Sequence, residues 1–337
     1  MTQPIVVASF GSGPHAVAGG ILKAAGCDVR TIPATTSAWT EALITEFAPV
    51  ADAWIGTFPK INLPRAVLER APRTRVIASS IIGTEMIDVA AATDLGIVVA
   101  HGAVAENYDG MAEAGVMLIA ALLKDLPGKM AALAEGRWKP IPAGRMVDGA
   151  VIGMIGLGRI GQGIARRLAG WNCRIVATDP YVDPLLAAQL GVALLSLDQL
   201  LAQSDVVLPL VTLSDETRNI VDRAAIGRMK RGAVLINIGR GGCVDENALL
   251  EALNSGHLSG AAIDTWEIEP TPYDNPLRTH PCVIATGHAV GHSEELYRRL
   301  PEVAAENVLL ALAGKTPLHV RNPEVLGAWC ARMAALD

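Results

Sequence analysis

Apolar residues along this chain fall into two alternating patterns. Short strand-like segments, most of them apolar runs rich in Val, Ile and Ala, lie at residues 5–9, 28–32, 53–56, 76–78 and 97–99. Between them, near residues 16–25, 39–47, 63–70 and 85–92, apolar residues return every three or four positions, the period of a helix with one buried side. Strand alternating with helix predicts an α/β fold, a parallel sheet covered by helices.

The pattern then repeats. A helix-like segment at 107–124 leads into a loop with Trp138, Pro140, Pro142 and Gly144, and strands are predicted at 151–155, 174–178, 205–210, 234–238, 261–264 and 282–285. Helices near 216–229 and 245–253 supply crossovers. Six strands are the number in a full doubly wound dinucleotide fold. Residues 293–314 read as a helix with a break near Leu300, because Pro301 removes a hydrogen bond and crowds the preceding turn.

The stretch from Val151 to Tyr181 is the most specific. A strand-like run ends in Gly156-Leu157-Gly158-Arg159-Ile160-Gly161, apolar residues follow at Ile160, Ile164 and Leu168, and a second strand delivers Asp179 eighteen residues after Gly161. If the ligand is a dinucleotide, Gly156 permits the tight turn, Gly158 lets backbone approach a pyrophosphate, and Gly161 lets helix and sheet pack closely. The helix N-terminus offers unpaired N–H groups to the anion. Asp179 would accept from a ribose diol and repel a 2′-phosphate, so NAD is expected rather than NADP. Gly11-Ser12-Gly13-Pro14-His15-Ala16 imitates part of this pattern. Its next strand ends in Arg30, Thr31 and Ile32 without an acid, so it reads as an ordinary strand-to-helix turn.

Length and charge narrow the classes. At 337 residues two domains are expected, and a net charge of -6 provides no basic field for nucleic acid or anionic membrane. Five cysteines at 27, 173, 243, 282 and 330 lie far apart without zinc-site spacing, the usage of reduced thiols in a cytoplasmic protein. The first residues lack the charged region of a signal peptide, and the longest apolar run, 114–123, is too short to span a bilayer, so a soluble chain is expected.

Three segments place polar residues just past predicted strands: Arg240 in LINIGRGGCVDENAL, Asp264, Glu267 and Glu269 in AAIDTWEIEPTP, and His288 and His292 in CVIATGHAVGHSEE. Ligands of open α/β sheets bind at the carboxyl ends of strands, so these loops can share one crevice. Taken singly, Arg240 among glycines could be a solvated loop residue. The HxxxH spacing of His288 and His292 could suggest metal, but Gly291 argues against a regular helix and no metal is expected. Cys243 reads as a packing residue, and Trp266, Trp138 and Tyr108 as core or interface groups.

Taken together, these motifs resemble the D-isomer-specific 2-hydroxyacid dehydrogenases over nearly the whole chain. GLGRIG with Asp179 resembles that family's NAD fingerprint, DETRNIVDRAAIGRMKRGAVLINIGRGGCVDENAL its long second signature, and DTWEIEP its acid-containing third. Gly287-His288 resembles its histidine loop, IIGTEMIDVAAATDLGIVV its substrate loop, and RNPEV its C-terminal phrase. The resemblance implies a Rossmann NAD-binding domain, residues 102–293, inserted into a flavodoxin-like substrate domain of residues 1–101 plus 294–337, with closure about the two linkers. It also implies an NAD-dependent oxidoreductase for a small D-2-hydroxy acid and its 2-oxo acid, homodimeric through the NAD domains.

Position by position, Arg240 is implied as the carboxylate clamp, His288 as the acid/base and Glu269, ahead of Glu267, as the acid that orients it. Asp264 is implied near the nicotinamide, and the backbone of Ile82 and Gly83 at the substrate carboxylate. Arg159, Ile160 and Ile238 complete the implied cofactor-binding set with Gly156, Gly158, Gly161 and Asp179.

The chain also departs from the family pattern. Gly287 stands where a proline usually precedes the histidine, and Leu210 and Thr212 stand where a histidine and a proline are frequent. Phe58-Pro59 replaces the Arg-Ser of phosphoglycerate-specific members, which argues against a phosphorylated substrate, although Lys60 could partly compensate. Glu269 in place of Gln disfavours formate. A phosphite dehydrogenase on the same scaffold and an NAD-sensing corepressor-like protein remain as rivals, the lack of appended tails favouring an enzyme.

Overall fold

The computed structural model describes residues 5–10, 14–33, 36, 38–56, 62–139 and 144–336. Gly11, Ser12 and Gly13, the Phe58-Pro59-Lys60 segment, and Pro140 and Pro142 lie outside the described residues. The chain divides into two compact units, Met1–Glu106 with Ser293–Asp337, and Asn107–His292.

The first unit is built on β1 (Val6–Phe10), β2 (Asp28–Ile32), β3 (Ala53–Gly56), β4 (Val76–Ser79) and β5 (Val98–Ala100), all parallel in the order β2-β1-β3-β4-β5. This is the flavodoxin-like order. Successive residues of a strand enter opposite cores. Val7, Ile55 and Val76 pack with Leu22, Val308 and Trp329 on one face, and Phe10, Trp54 and Ile77 with Phe47 and Leu68 on the other. With both faces covered, the inner strands β1, β3 and β4 show no polar alternation and read as apolar runs, whereas the edge strand β2 carries Asp28, Arg30 and Thr31, the last two exposed. Each buried Ile or Leu contributes about 1.5–3 kcal/mol relative to exposure. Asn322, in the RNPEV phrase, is buried and locks that segment to the sheet edge: its Oδ1 accepts from Val99 N at 2.9 Å, and its Nδ2 donates to Ile97 O at 3.1 Å.

Pro301 does not break its helix. Glu294–Leu312 is continuous, capped by Ser293, whose Oγ accepts from Leu296 N at 3.2 Å. The proline forfeits one backbone bond, the one to the Tyr297 carbonyl, on a residue that is 45% exposed. Against that loss stands the buried stripe Leu296, Leu300, Val303, Ala304 and Val308.

The second unit holds seven parallel strands rather than the expected six: β6 (Val151–Ile155), β7 (Arg174–Thr178), β8 (Val192–Leu194), β9 (Val206–Pro209), β10 (Ala233–Asn237), β11 (Leu258–Ile263) and β12 (Val283–Ala285). Their order is β12-β11-β10-β9-β6-β7-β8, the doubly wound Rossmann order with one strand added at the β12 edge. The unforeseen strand is β8, a three-residue edge with two residues exposed, too short to register as a pattern. The segment 216–229 is helical only over Arg223–Arg228, capped by Asp222. Asn219, at φ 50°, is left-handed and ends any right-handed helix before it.

Candidate active site

The glycine turn after β6 is built as its residues require. Gly156 has φ 97°, and a Cβ there would lie 3.0 Å from Val211 and 3.2 Å from the Leu210 carbonyl carbon, so a side chain is excluded by both conformation and space. Gly158 caps the helix Arg159–Leu168 without a side-chain hydrogen bond, and a Cβ built on it meets no protein atom within 4 Å. There is thus open space beside Gly158 at the start of the helix, where an anion's approach to the first-turn N–H groups is not blocked at that residue. Asp179 ties the end of β7 to this turn: Oδ2 accepts from Leu157 N at 2.8 Å, and Oδ1 accepts from Tyr181 N at 2.8 Å and Val182 N at 3.1 Å. Ile160 packs on the core of this unit, and Ile238 is 2% exposed at the end of β10.

Three neighbouring strands, β10, β11 and β12, carry the polar groups at their carboxyl ends. Arg240 follows β10, its Nη1 donating to Gly239 O at 2.9 Å. Gly241 is required next to it, because a Cβ there would overlap the Trp266 carbonyl. Asp264 ends β11 and is 1% exposed. Its Oδ1 accepts from Thr286 Oγ1 at 2.7 Å, Ala289 N at 2.8 Å and Val290 N at 3.1 Å, while Oδ2 is buried without a hydrogen-bond partner. One carboxylate oxygen thus folds the loop on both sides of His288. His288 N also donates to the Asp264 carbonyl at 2.7 Å, and His288 sits at φ 55°, an uncommon conformation that these bonds over-determine.

His288 Nδ1 meets Glu269 Oε2 at 2.8 Å, and Glu269 Oε1 accepts from Trp266 N at 2.9 Å. The hydrogen bond from Glu269 holds the imidazole above its ordinary pKa against the opposing effect of burial, with Asp264 adding and Arg240 subtracting. Burial pushes the Glu269 carboxyl up, but the bonds from His288 and Trp266 N, with the charges of His288 and Arg240, bring it below the usual carboxylate range. The pair therefore favours the charged forms. Its stabilising contribution is present between the depressed Glu269 value and the raised His288 value, lost below the first as Glu269 protonates and above the second as His288 deprotonates. Both side chains are partly open to water, at 49% and 38%, so solvent limits that contribution.

A consequence can be measured. Glu269→Gln removes the largest cause of the raised His288 value, so the pH limb governed by His288 should move to lower pH. If the imidazolium supplies a proton in a reduction, kcat/KM in that direction should then begin to fall at lower pH than in the wild type. An unmoved limb in a pH–rate profile would separate Glu269 from His288.

Other residues expected from sequence fall out as follows. Ile82 and Gly83 lie in the first unit, in the loop after β4, where Ser79 Oγ donates to Gly83 O at 2.8 Å. His292 is exposed, its imidazole held below its ordinary value by partial burial and the nearby His288 charge, against Asp264. Glu267 is exposed, and its backbone N–H donates to Glu246 at 2.7 Å. Cys243 is buried, and burial pushes its thiol up. Leu210 N donates to Ile155 O at 2.7 Å, extending the pairing of β9 with β6, and a Cβ on Gly287 would meet nothing within 4 Å. Trp266 is buried and donates Nε1–H to Thr286 O at 2.8 Å, whereas Trp138 is 79% exposed and is no core residue. Thr286 and the Trp266 backbone N–H carry no sequence signal, since their roles depend on which loops meet.

The chain is similar to characterised proteins over the same elements. Residues 116–290 match the sequence model of a family described as D-isomer specific 2-hydroxyacid dehydrogenase, NAD binding domain. The D-3-phosphoglycerate dehydrogenase of Mycobacterium bovis is 39% identical over 250 residues, covering 74% of this chain and 47% of that enzyme. The chain thus spans about half the length of those curated relatives. The glyoxylate reductase of Korarchaeum cryptofilum is 36% identical over 267 residues, 77% of this chain and 80% of that enzyme. Among solved structures, a 2-hydroxyacid dehydrogenase from Ketogulonicigenium vulgare Y25 is 26% identical with a TM-score of 0.83, covering 95% of this chain and 98% of its own.

Proposed function

This chain belongs to the D-isomer-specific 2-hydroxyacid dehydrogenases, and from that premise we propose that it interconverts a small D-2-hydroxy acid and its 2-oxo acid with NAD. The observation that carries the reading is the 2.8 Å Glu269–His288 pair at the strand ends that also bear Arg240. When bound, the nicotinamide supplies or accepts the hydride. With Nδ1 engaged by Glu269, the Nε2 of His288 is the atom that gives a proton to the substrate oxygen in reduction and takes it back in oxidation. Arg240 clamps the substrate carboxylate and polarises the adjacent carbonyl. By family resemblance, the backbone of Ile82 and Gly83 is assigned to binding of a substrate carboxylate. The unpartnered Oδ2 of Asp264 suits a donor on the nicotinamide carboxamide, and the open turn at Gly158 suits the pyrophosphate. Turnover of NADH on a panel of unphosphorylated 2-oxo acids tests the reading. Binding of NADH without turnover on any of them would overturn it in favour of a sensing role.

Asp179 is assigned to the adenosine ribose, and its replacement by Ala should narrow the preference for NAD over NADP in kcat/KM. Because Leu157 N also loses its acceptor, NAD affinity should fall as well. An unchanged cofactor ratio would refute the ribose role. A homodimer through the second unit is supported by the exposed Met117, Leu126, Met130, Leu133 and Trp138 on and after its helices Ala105–Leu123 and Leu126–Ala134. Met130→Glu with Leu133→Glu should yield a monomer in sedimentation, and an unaltered dimer would place the interface elsewhere. A cytoplasmic setting accords with five free cysteines. Among the described residues no helix is long and apolar enough to cross a membrane.

A further inference from the structure

The helix that opens at the glycine turn, Arg159–Leu168, lies against Ala105–Leu123 through small residues. A Cβ on Gly163 would come within 2.8 Å of Ala112, and one on Gly115 within 2.7 Å of Ile164, so neither position admits a side chain without movement. The order of these contacts runs the two helices in the same direction. One turn earlier on each, four residues before Ala112 and four before Gly163, stand Tyr108 and Arg159. They are in contact. Arg159 Nη1 donates to the Tyr108 hydroxyl at 2.9 Å, and the guanidinium carbon lies 4.7 Å from the ring centroid.

The three arginines on this helix are deployed differently. Arg166 Nη2 donates to Gln162 Oε1 at 3.3 Å. Arg167 is spent on Asp109 and Glu113, at 3.0 and 3.3 Å. Arg159 pairs with no carboxylate among the described residues, and a neutral phenol holds it instead. A phenol can orient a guanidinium without neutralising it. The cation therefore keeps its charge and further N–H donors, at the first residue of a helix whose N-cap, Gly158, borders open space.

We propose that Tyr108 is a positioning residue that presents the Arg159 guanidinium to the diphosphate of the bound dinucleotide. The inference rests on the reading of the glycine turn as the cofactor site. A free arginine loses much rotamer freedom on binding an anion, and a side chain already held in one orientation loses less.

The test is the dissociation constant for ADP-ribose, which carries the diphosphate, beside that for adenosine, which does not, both by competition with NADH fluorescence. Arg159→Ala should weaken ADP-ribose by about 10-fold or more, the scale of a lost charge-assisted phosphate contact, with adenosine within about 2-fold. Tyr108→Leu should weaken ADP-ribose by about 5-fold, and Tyr108→Phe by less because the ring under the guanidinium remains. The double variant Y108L/R159A should bind no more weakly than R159A alone, since Tyr108 acts only through the arginine. Wild-type-like ADP-ribose affinity in Y108L, or in Y108M if Y108L does not fold, with R159A impaired, overturns the tether and leaves the cofactor site standing. An equal Y108L penalty in the R159A background also overturns it. Failure of the wild type to bind ADP-ribose brings down the cofactor-site reading itself, and unchanged affinity in R159A removes the arginine and the tether together.

Discussion

His288→Ala is expected to lower turnover by ~10²–10⁴, the range for loss of a positioned acid/base, while the dissociation constant for NADH changes by no more than about 2-fold. The reason lies in which atoms are engaged. Nδ1 is held by Glu269 at 2.8 Å, which under the proposed mechanism leaves Nε2 as the proton donor, and alanine supplies none. The loop itself should survive, because Asp264 holds it through Thr286 Oγ1 and the N–H groups of Ala289 and Val290, which do not involve the imidazole. Glu269, left alone, is open enough to water to be hydrated rather than stranded. If Glu269 acts through His288, then Glu269→Gln in the H288A background should cost almost nothing further, although it impairs the wild type. Single-turnover reduction of a good 2-oxo acid measures both arms. Near-normal rates in H288A would remove this histidine from the chemistry.

Arg240→Ala is expected to raise KM by about 10–100-fold and to lower kcat as well, because a charge-assisted clamp acts on the bound carboxylate and on the polarised carbonyl. A second effect carries the opposite sign to that of Glu269→Gln. Arg240 is one of the influences that pull the His288 value down, so its removal should move the His288 limb of the reductive pH profile to higher pH. Arg240→Lys should restore much of the limb's position, since charge is retained, but little of the KM, since the planar fork is lost. Steady-state kinetics across pH separates the two readouts. An unchanged KM in R240A would take the clamp away from Arg240 even if kcat fell.

Much of this site is legible along the chain, for a local reason. The glycine turn, its flanking strands and Asp179 sit within one strand-turn-helix-strand unit, where each residue type answers a requirement of backbone geometry close to it. The strand-end positions of Arg240, Asp264 and His288 follow from the same periodicity. Errors arise where packing overrides a local preference. Pro301 would break an isolated helix, yet the buried stripe of Glu294–Leu312 carries it through. Val192–Leu194 has almost no pattern of its own and is a strand because β7 offers it an edge.

The two α/β series, the glycine turn and the polar residues that follow the strands are readable from the chain alone, since periodicity, glycine placement and spacing are written in neighbouring residues. The tertiary structure alone decided how those residues are joined. It placed Trp266 N behind Glu269, turned one oxygen of Asp264 into the anchor of the histidine loop, and brought Tyr108 beneath Arg159 across 51 positions. Such contacts depend on which loops and helices close on each other, a balance of chain entropy against burial over the whole fold that no local pattern records.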